Sequence, residues 1–129
     1  MTTWTSNLPQ FLKDESEAER LGVIAAAYVL VNAVKRSLRG GYTSGNFVTG
    51  GVINSVTRGQ PFRDGMGWTI EVGTNLMYAL FWEIGHHNLF TRKYERVEKW
   101  RPAFMDSREA MRAAYSREWQ RRMQKWRAN

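Results

Sequence analysis

Hydrophobic positions along the chain form two long helical patterns, one near each end, with a region of different character between them. In residues 14–39, acidic side chains crowd the start, basic side chains crowd the end, and two glycines follow. That order complements the helix dipole and stops a helix. Either Asp14 or a capping box of Ser16 and Glu19 can begin it. The middle is apolar on nearly every side, so we predict a helix that packs against more than one neighbour, which can include another subunit.

The second helical pattern covers residues 103–127 and directly follows Pro102, a residue typical of helix starts. Asp106 and Glu109 have the spacing of a capping box. Apolar side chains recur at steps of four and three residues, and this periodicity places them on one stripe of the helix. We predict that the stripe is buried and that the outer face is basic. The stripe consists of Met111, Tyr115, Trp119, Met123 and Trp126.

The region between the two patterns, residues 40–100, has the composition of loops and short strands. Residues 40–66 are rich in Gly, Ser, Thr and Asn, which predicts loop. Pro61 and the pair Asp64-Gly65 are typical of the tip of a long hairpin. We therefore expect a long loop or hairpin here, ahead of the strands.

Three further segments of this region have patterns of their own. Apolar and polar residues alternate over 68–73, which predicts a strand. Residues 76–84 are apolar over more than one face and predict a short helix or tight turn. A weaker alternation within 89–100 predicts an edge strand.

The length of the chain, 129 residues, predicts a single domain over 1–129. Residues 1–13 have no periodicity and are expected to form an arm, in which Trp4 and Phe11 suggest docking on a neighbouring subunit. The first residues lack the pattern of a signal peptide. The longest apolar run, 22–31, is much shorter than a membrane span. Absence of cysteine excludes disulfides and thiolate metal sites.

Charge is distributed unevenly along the chain, which has a formal net charge of +7. Residues 1–91 carry equal numbers of basic and acidic side chains, so the whole excess lies in 92–129. Two interpretations stay open: a polyanionic partner, or an ordinary solvated helix face. The aromatic residues lie on the opposite stripe, so base recognition is not indicated. The candidate contacts to phosphates or to an adjoining ring are Arg112, Arg117, Arg121, Arg122 and Lys125.

The segment "YALFWEIGHH" places Glu83 beside Gly85 and the only two histidines of the chain. Glu83 and His86 have the Glu-x-x-His spacing of di-iron bundles, but those sites need two such motifs. His86 and His87 are adjacent and diverge on a helix. We favour a structural carboxylate that accepts hydrogen bonds from nearby backbone N–H groups, beside a turn that requires glycine. The sequence predicts no catalytic residue, no metal ligand and no cofactor.

Three short segments, in this order, resemble a family of tail-component proteins of long-tailed bacteriophages. The segments are "TGGVINSV" (49–56), "VGTNLMYALFWEIGHH" (72–87) and "RPAFMDSREA" (101–110). The family includes tail-completion and tail-terminator-like neck proteins. The positions that carry the resemblance are Thr49, Gly50, Ser55, Tyr78, Ala79, Glu83, Gly85, Arg101 and Pro102.

The resemblance implies a non-enzymatic virion protein with an α+β fold, in which a long N-terminal helix and a C-terminal helix pack on a twisted antiparallel sheet. Such proteins form homo-oligomeric rings, often hexamers, that complete the tail or join head to tail. The implied partners are other copies, adjacent neck proteins and the tail tube protein, with genomic DNA passing through the lumen and no membrane. The implied location is the virion neck, and the host cytoplasm during assembly. Glu83 would anchor a structural corner or pair with Arg101 across a subunit boundary.

A second hypothesis comes from the charge distribution alone. A small basic nucleic-acid-binding protein could use the same C-terminal helix, with phosphates as its ligands. The two hypotheses differ in oligomeric state and in affinity for free DNA, which should depend steeply on salt only for a nucleic-acid-binding protein.

Overall fold

The computed structural model describes residues 4–39, 50–65, 67–74, 83, 86–88, 93–95 and 98–127. This part of the chain has helices α1 (Trp4–Leu38), α2 (Gly50–Ser55) and α3 (Trp100–Met123), followed by a 3₁₀ turn (Gln124–Trp126). Its strands are β1 (Thr57–Arg58), β2 (Phe62–Asp64), β3 (Gly67–Thr69), β4 (Val72–Gly73), β5 (His86–Asn88) and β6 (Lys93–Glu95). The combination of long helices with antiparallel strand pairs confirms the predicted α+β class.

Helices α1 and α3 lie antiparallel along each other. Near the start of α1, Phe11 packs edge-on against Trp126, with ring centroids 5.2 Å apart. Near its end, the Ser37 hydroxyl donates a hydrogen bond to the carbonyl oxygen of Lys99 at 2.9 Å. The helix pair therefore joins the two ends of the sequence, and it forms the largest contact among the described elements.

Midway along the pair the two helices approach closely because α1 has a glycine there. A Cβ atom placed on Gly22 would lie 2.6 Å from Cδ2 of Tyr115, far inside van der Waals contact. Further along, Ala33 of α1 faces a groove shared with Ala103 and Ser107 of α3. Small side chains on both helices thus permit the short distance between them.

The apolar core lies where the second half of α1 meets α2, β4 and the start of α3. Its buried members are Val31, Ala33, Val34, Leu38, Val56 and Ala103, and half-buried Leu30, Ile53, Val72 and Trp100 pack around them. Leu38 and Val34 are fully buried. The end of α1 is consequently the best-packed part of the described chain.

Strands β1 to β4 form one interrupted hairpin. β2 pairs with β3 around the tip, where Gly65 adopts a positive φ of 62° that favours glycine. β1 pairs with β4 at the base, and the Gly59 N–H extends this pairing by donating to the carbonyl oxygen of Glu71 at 2.8 Å. Three residues separate β1 from β2 but only two separate β3 from β4, and Pro61, which lies in the longer connection, has no N–H to donate. This mismatch interrupts the ladder.

The hairpin agrees with the prediction from Pro61 and Asp64-Gly65, whereas the single strand predicted over 68–73 is two strands separated by Ile70 and Glu71. β5 pairs with β6, so part of the predicted edge strand within 89–100 is present. The described strands form three two-stranded pairs rather than one continuous sheet.

The beginning of the chain differs from its prediction. α1 begins at Trp4, so the arm predicted over 1–13 is wrong from this residue onward, and the helix predicted over 14–39 starts ten residues earlier. The reason is a distant contact: the ring of Phe11 packs on Trp126, near the other end of the chain. A local pattern in the first residues does not reveal such a partner.

The start of the C-terminal helix also differs. α3 begins at Trp100 instead of at the start of the predicted range 103–127, so Pro102 lies inside the first turn, where its missing N–H costs nothing. Asp106 and Glu109 lie within the helix and do not form its capping box. A side chain from elsewhere in the sequence caps this helix instead.

Candidate functional site

Glu83 caps the start of α3. Its Oε1 accepts a hydrogen bond from the backbone N–H of Lys99 at 2.7 Å and a second from that of Trp100 at 3.2 Å. The first N–H groups of a helix have no partner within the helix, and a carboxylate also interacts favourably with the positive end of the helix dipole. Lys99, the residue at the cap position, makes no side-chain capping bond. The two hydrogen bonds to Glu83 confirm the prediction that this carboxylate accepts from nearby backbone N–H groups.

The other positions of the family resemblance divide into two groups. Ser55 ends α2, and its hydroxyl is hydrogen-bonded to that of Thr74, which ties α2 to the end of the hairpin. Arg101 and Pro102 are exposed on the first turn of α3. Gly50 begins α2. Thr49, Tyr78, Ala79 and Gly85 lie outside the described residues. A pairing of Glu83 with Arg101 of another copy stays a prediction.

At the opposite end of the helix pair, Asp14 is buried, with 4% of its surface exposed. Its Oδ2 accepts a hydrogen bond from the indole N–H of Trp126 at 3.0 Å and lies 2.9 Å from Nζ of Lys125. Its Oδ1 accepts a bond from the side-chain amide of Gln10 at 3.1 Å. The Lys125 and Trp126 hydrogen bonds hold the pKa of this carboxyl below its ordinary value.

Asp14 therefore fastens α1 to the end of α3, a role that the sequence interpretation missed when it considered this residue as a helix cap. One signal in the sequence could have revealed the contact. Acidic residues are concentrated around 14–19, and basic residues are concentrated around 121–127. Opposite charges at the start of one helix and the end of the other favour an antiparallel pair.

The five basic candidates of the C-terminal helix are not equivalent. Arg112 pairs with Glu109 at 3.1 Å and Arg121 with Glu118 at 2.8 Å, in each case on the helix surface. Lys125 pairs with Asp14. Within the described part of the chain, the remaining two candidates are not in an ion pair of this kind. Arg117 is exposed on the helix surface. Arg122 lies near Glu17, and the pKa of Glu17 is lowered chiefly by Arg20 and further by the charge of Arg122.

Much of the basic charge is thus balanced inside the molecule. A cleft of about 360 Å³ at this end is lined by both signs of charge: Lys13, Asp14, Ser16, Glu17 and Arg122. A neighbouring open cleft of about 340 Å³ is lined by Leu21 together with Arg121, Arg122 and Lys125. Since carboxylates accompany most of these cations, this end is less attractive to a polyanion than the sequence suggests.

The histidines lie in β5, where His86 is in register with Glu95 and His87 with Tyr94. Among the residues that the structure describes, no group of three His, Asp or Glu side chains is close enough to hold a metal ion. The contacts of the described residues are hydrogen bonds, ion pairs and apolar packing.

Helix α1 combines length with incomplete burial. Its segment Leu8–Leu38 is long and apolar enough to cross a membrane by length and composition, a property that core helices share. The apolar part of this helix is therefore longer than the ten-residue run 22–31, the longest apolar run of the sequence. Most apolar residues of the run 22–31 are only half-buried within the chain. Exposed apolar side chains lie near the start of α1, at Leu8 and Leu12.

The first turns of α3 carry a second exposed apolar pair, Phe104 and Met105, which are 43% and 45% exposed. Because the helices are antiparallel, this pair and the Leu8/Leu12 pair lie at opposite ends of the helix pair. The described surface thus presents at least two separate exposed apolar patches.

Comparison of the chain with models of protein families, with curated proteins and with solved structures found no match in any of the three.

Proposed function

We propose that this chain is a structural protein of the bacteriophage neck that assembles with copies of itself into a ring, which completes the tail or joins head to tail. Its partners would be adjacent neck proteins and the tail tube, with DNA passing through the ring. The protein would act by assembly and would catalyse no reaction. The resemblance of the three sequence segments supplies the biological setting, and the surface of α1 supplies the physical argument.

One observation carries the proposal: the most apolar helix of the chain is only partly covered. α3 packs on one side of α1 and the hairpin on another, yet most apolar residues in the run 22–31 of this helix are only half-buried. Leu12 exposes 55% of its surface and Leu8 exposes 45%. Large exposed apolar areas on a soluble protein mark sites of association. Further copies of the chain would cover this helix.

The exposed residues lie in an arrangement that a ring can use. Leu8 and Leu12 lie at one end of the helix pair, and Phe104 and Met105 lie at the other. When the surface at one end of each copy binds the surface at the other end of the next copy, without the reciprocal contact, the interface is heterologous. Such contacts close into a ring when the rotation between copies permits.

Purified protein with Leu8→Glu and Leu12→Glu tests the contact. We expect the wild-type protein to associate into closed rings at high concentration in sedimentation velocity and negative-stain microscopy, and we expect this variant to remain monomeric. The matched control is Gln120→Glu with Gln124→Glu, which adds the same charge at exposed positions of the C-terminal segment. The control should associate as the wild type does. Equal association of all three proteins would show that Leu8 and Leu12 form no shared surface.

A virion experiment tests the function itself. Particles assembled without this protein should appear as separate heads and tails, or as tails of uncontrolled length, in negative-stain micrographs. Normal infectious particles would refute the neck assignment.

Flotation of the purified protein with lipid vesicles would instead assign the apolar surface of α1 to a membrane.

The nucleic-acid-binding alternative retains one specific observation. Arg108 and Arg117 are exposed on α3 and have no ion-pair partner within the described part of the chain. A protein that used them on duplex DNA would bind as a monomer or dimer, and its affinity would fall steeply with salt. Weak binding of DNA by the free protein, together with ring formation, would exclude this alternative.

A further inference from the structure

A concave surface lies between the second half of α1 and the base of the hairpin, away from the acidic residues at the other end of the helix. Its volume is about 300 Å³. Its wall carries polar and charged side chains, and two valines of the core form its floor. We call it the hairpin pocket and define it by Tyr28, Val31, Lys35, Val56, Thr57, Arg58 and Gln60.

Arg58 is held in place at one side of the hairpin pocket. Its guanidinium lies over the ring of Tyr28, 5.0 Å from the centroid, and Nη2 donates to the Tyr28 hydroxyl at 3.3 Å. Nη1 donates to the carbonyl oxygen of Gly59 at 3.1 Å. The backbone of Arg58 is fixed as well, because the residue pairs with Val72 across the base of the hairpin. These two hydrogen bonds leave further N–H donors of the guanidinium available.

Lys35 supplies the second cation of the hairpin pocket, from the last turn of α1. No acidic side chain is among the described residues that line this pocket. The contrast with the cleft beside Asp14 and Glu17 is clear, since there each cation lies near a carboxylate. Two positive charges around one concavity without an anion among its lining residues create a local positive potential.

A hydroxyl group completes the set of donors. The Tyr28 hydroxyl accepts from Arg58 and so keeps its own hydrogen for a ligand, and its side chain is accessible, with 53% of the residue exposed. The Thr57 hydroxyl donates to the carbonyl oxygen of Arg58 at 3.4 Å, so it is not counted among the donors for a ligand. A planar guanidinium, an ammonium and a hydroxyl donor match an oxyanion with several acceptor oxygens. The polar and charged wall fits a phosphate group better than an apolar ligand.

We propose that the hairpin pocket binds a phosphate group, either as a free phosphate or as part of a nucleic-acid backbone. Lys35 and Arg58 provide the charge, and the Tyr28 hydroxyl orients one oxygen. The proposal does not depend on ring assembly, because every residue it uses belongs to one chain. It also differs from the basic candidates of the C-terminal segment, of which Arg112, Arg121 and Lys125 are paired with carboxylates.

Calorimetric titration with sodium phosphate, and separately with a short DNA duplex at low salt, tests the proposal. The site variant is Lys35→Gln with Arg58→Gln, and the matched control is Arg112→Gln with Arg117→Gln, which removes the same charge from the exposed face of α3. We expect the affinity of the site variant to fall by about tenfold or more. For DNA, the slope of log affinity against log salt concentration should become shallower by about one to two. The control should stay within about twofold of the wild type.

The two ligands distinguish the source of the phosphate. If inorganic phosphate binds saturably and the duplex binds no more tightly, the ligand is a free phosphate or a phosphoester. If only the duplex binds, the ligand is a nucleic-acid backbone. Equal losses in the site variant and the control would overturn the proposal, and so would absence of saturable binding of both ligands to the wild type. Since Arg58 also contacts Tyr28, Lys35→Gln alone provides a second variant that leaves the hairpin contact intact. Its affinity for the bound ligand should fall as well, and an unchanged affinity would overturn the proposal.

Discussion

The two ends of the α1–α3 helix pair are held together by different physical means. Where α3 begins, Leu38 and Val34 are buried in the apolar core, and Glu83 caps the helix through backbone N–H groups. Where α3 ends, a buried carboxylate, Asp14, binds the Lys125 side chain and the indole of Trp126. The first end depends mainly on apolar burial, which pH and salt affect little, and Glu83 adds one charged cap, whereas the second end depends mainly on the buried charge of Asp14. The same pair of helices should therefore open at different ends under different conditions.

The largest effect is expected from the apolar end. Leu38→Ala removes a fully buried side chain and should lower the free energy of unfolding by about 2–5 kcal/mol, because lost burial and a residual cavity add. Urea unfolding followed by circular dichroism measures the change. The matched control is Leu12→Ala near the other end, where 55% of the residue is exposed. The control should change the stability of the monomer by no more than about 0.5 kcal/mol. Equal losses for the two variants would contradict the placement of the core.

The cap of α3 gives the next largest effect. Glu83→Ala leaves the N–H groups of Lys99 and Trp100 without this acceptor and should cost about 1–2 kcal/mol. Glu83→Gln keeps an acceptor oxygen but loses the charge, so its loss should be smaller. Glu109→Ala serves as the control, because its carboxylate pairs with Arg112 on the surface and caps nothing. If Glu109→Ala cost as much as Glu83→Ala, the capping assignment would be wrong.

The sequence predicted one of these two anchors and not the other, for a physical reason. Glu83 interrupts an otherwise apolar segment, and a carboxylate in such surroundings must find hydrogen-bond donors. Asp14 lies among other acidic residues at the start of a helical pattern, where a local role as a cap explains it fully. The partners that fasten it to the end of α3, Lys125 and Trp126, are more than a hundred residues away, and no periodicity identifies a contact at that separation.

The helices and the hairpin follow the same rule. Periodicity located α1 and α3, and Pro61 with Asp64-Gly65 located the hairpin, because these signals are local. The positions where the helices begin were wrong because distant side chains determine them: Trp126 packs on the first turns of α1, and Glu83 caps α3. The pocket at Arg58 was missed because Lys35 and Arg58 come from different elements, and only the fold brings them together.

Gly22 provides a test at the middle of the helix pair, between the two ends. Alanine normally stabilises a helix relative to glycine by about 1 kcal/mol. Here the new Cβ would lie 2.6 Å from Cδ2 and 3.1 Å from Cγ of Tyr115, so overpacking should reverse the sign and give a net loss of about 1 kcal/mol. Thermal unfolding measures it. In a Tyr115→Ala background, Gly22→Ala should become stabilising, and a loss that persisted there would show that the close approach is not its cause.

The smallest effect concerns Asp14 and depends on pH. Hydrogen bonds from Lys125, and then from Trp126, lower the pKa of this carboxyl in the folded state. A carboxyl whose folded pKa is lowered contributes stability above its unfolded pKa, and that stability is lost as pH falls through the lowered folded pKa. Asp14→Asn should therefore lower the melting temperature at neutral pH, and the difference from the wild type should shrink on acidification. Asp106→Asn is the control, since Asp106 is exposed on α3 far from Lys125.

Hydrogen exchange then shows which end responds. At acidic pH, amides in the first turns of α1 and around Trp126 should lose protection before those near Leu38, because the latter are held mainly by apolar burial. In Asp14→Asn the same amides should be less protected already at neutral pH, while the amides near Leu38 keep their protection. Simultaneous loss of protection at both ends would mean that the helix pair opens as one cooperative unit. In that case the charge at Asp14 would stabilise the whole pair rather than one end of it.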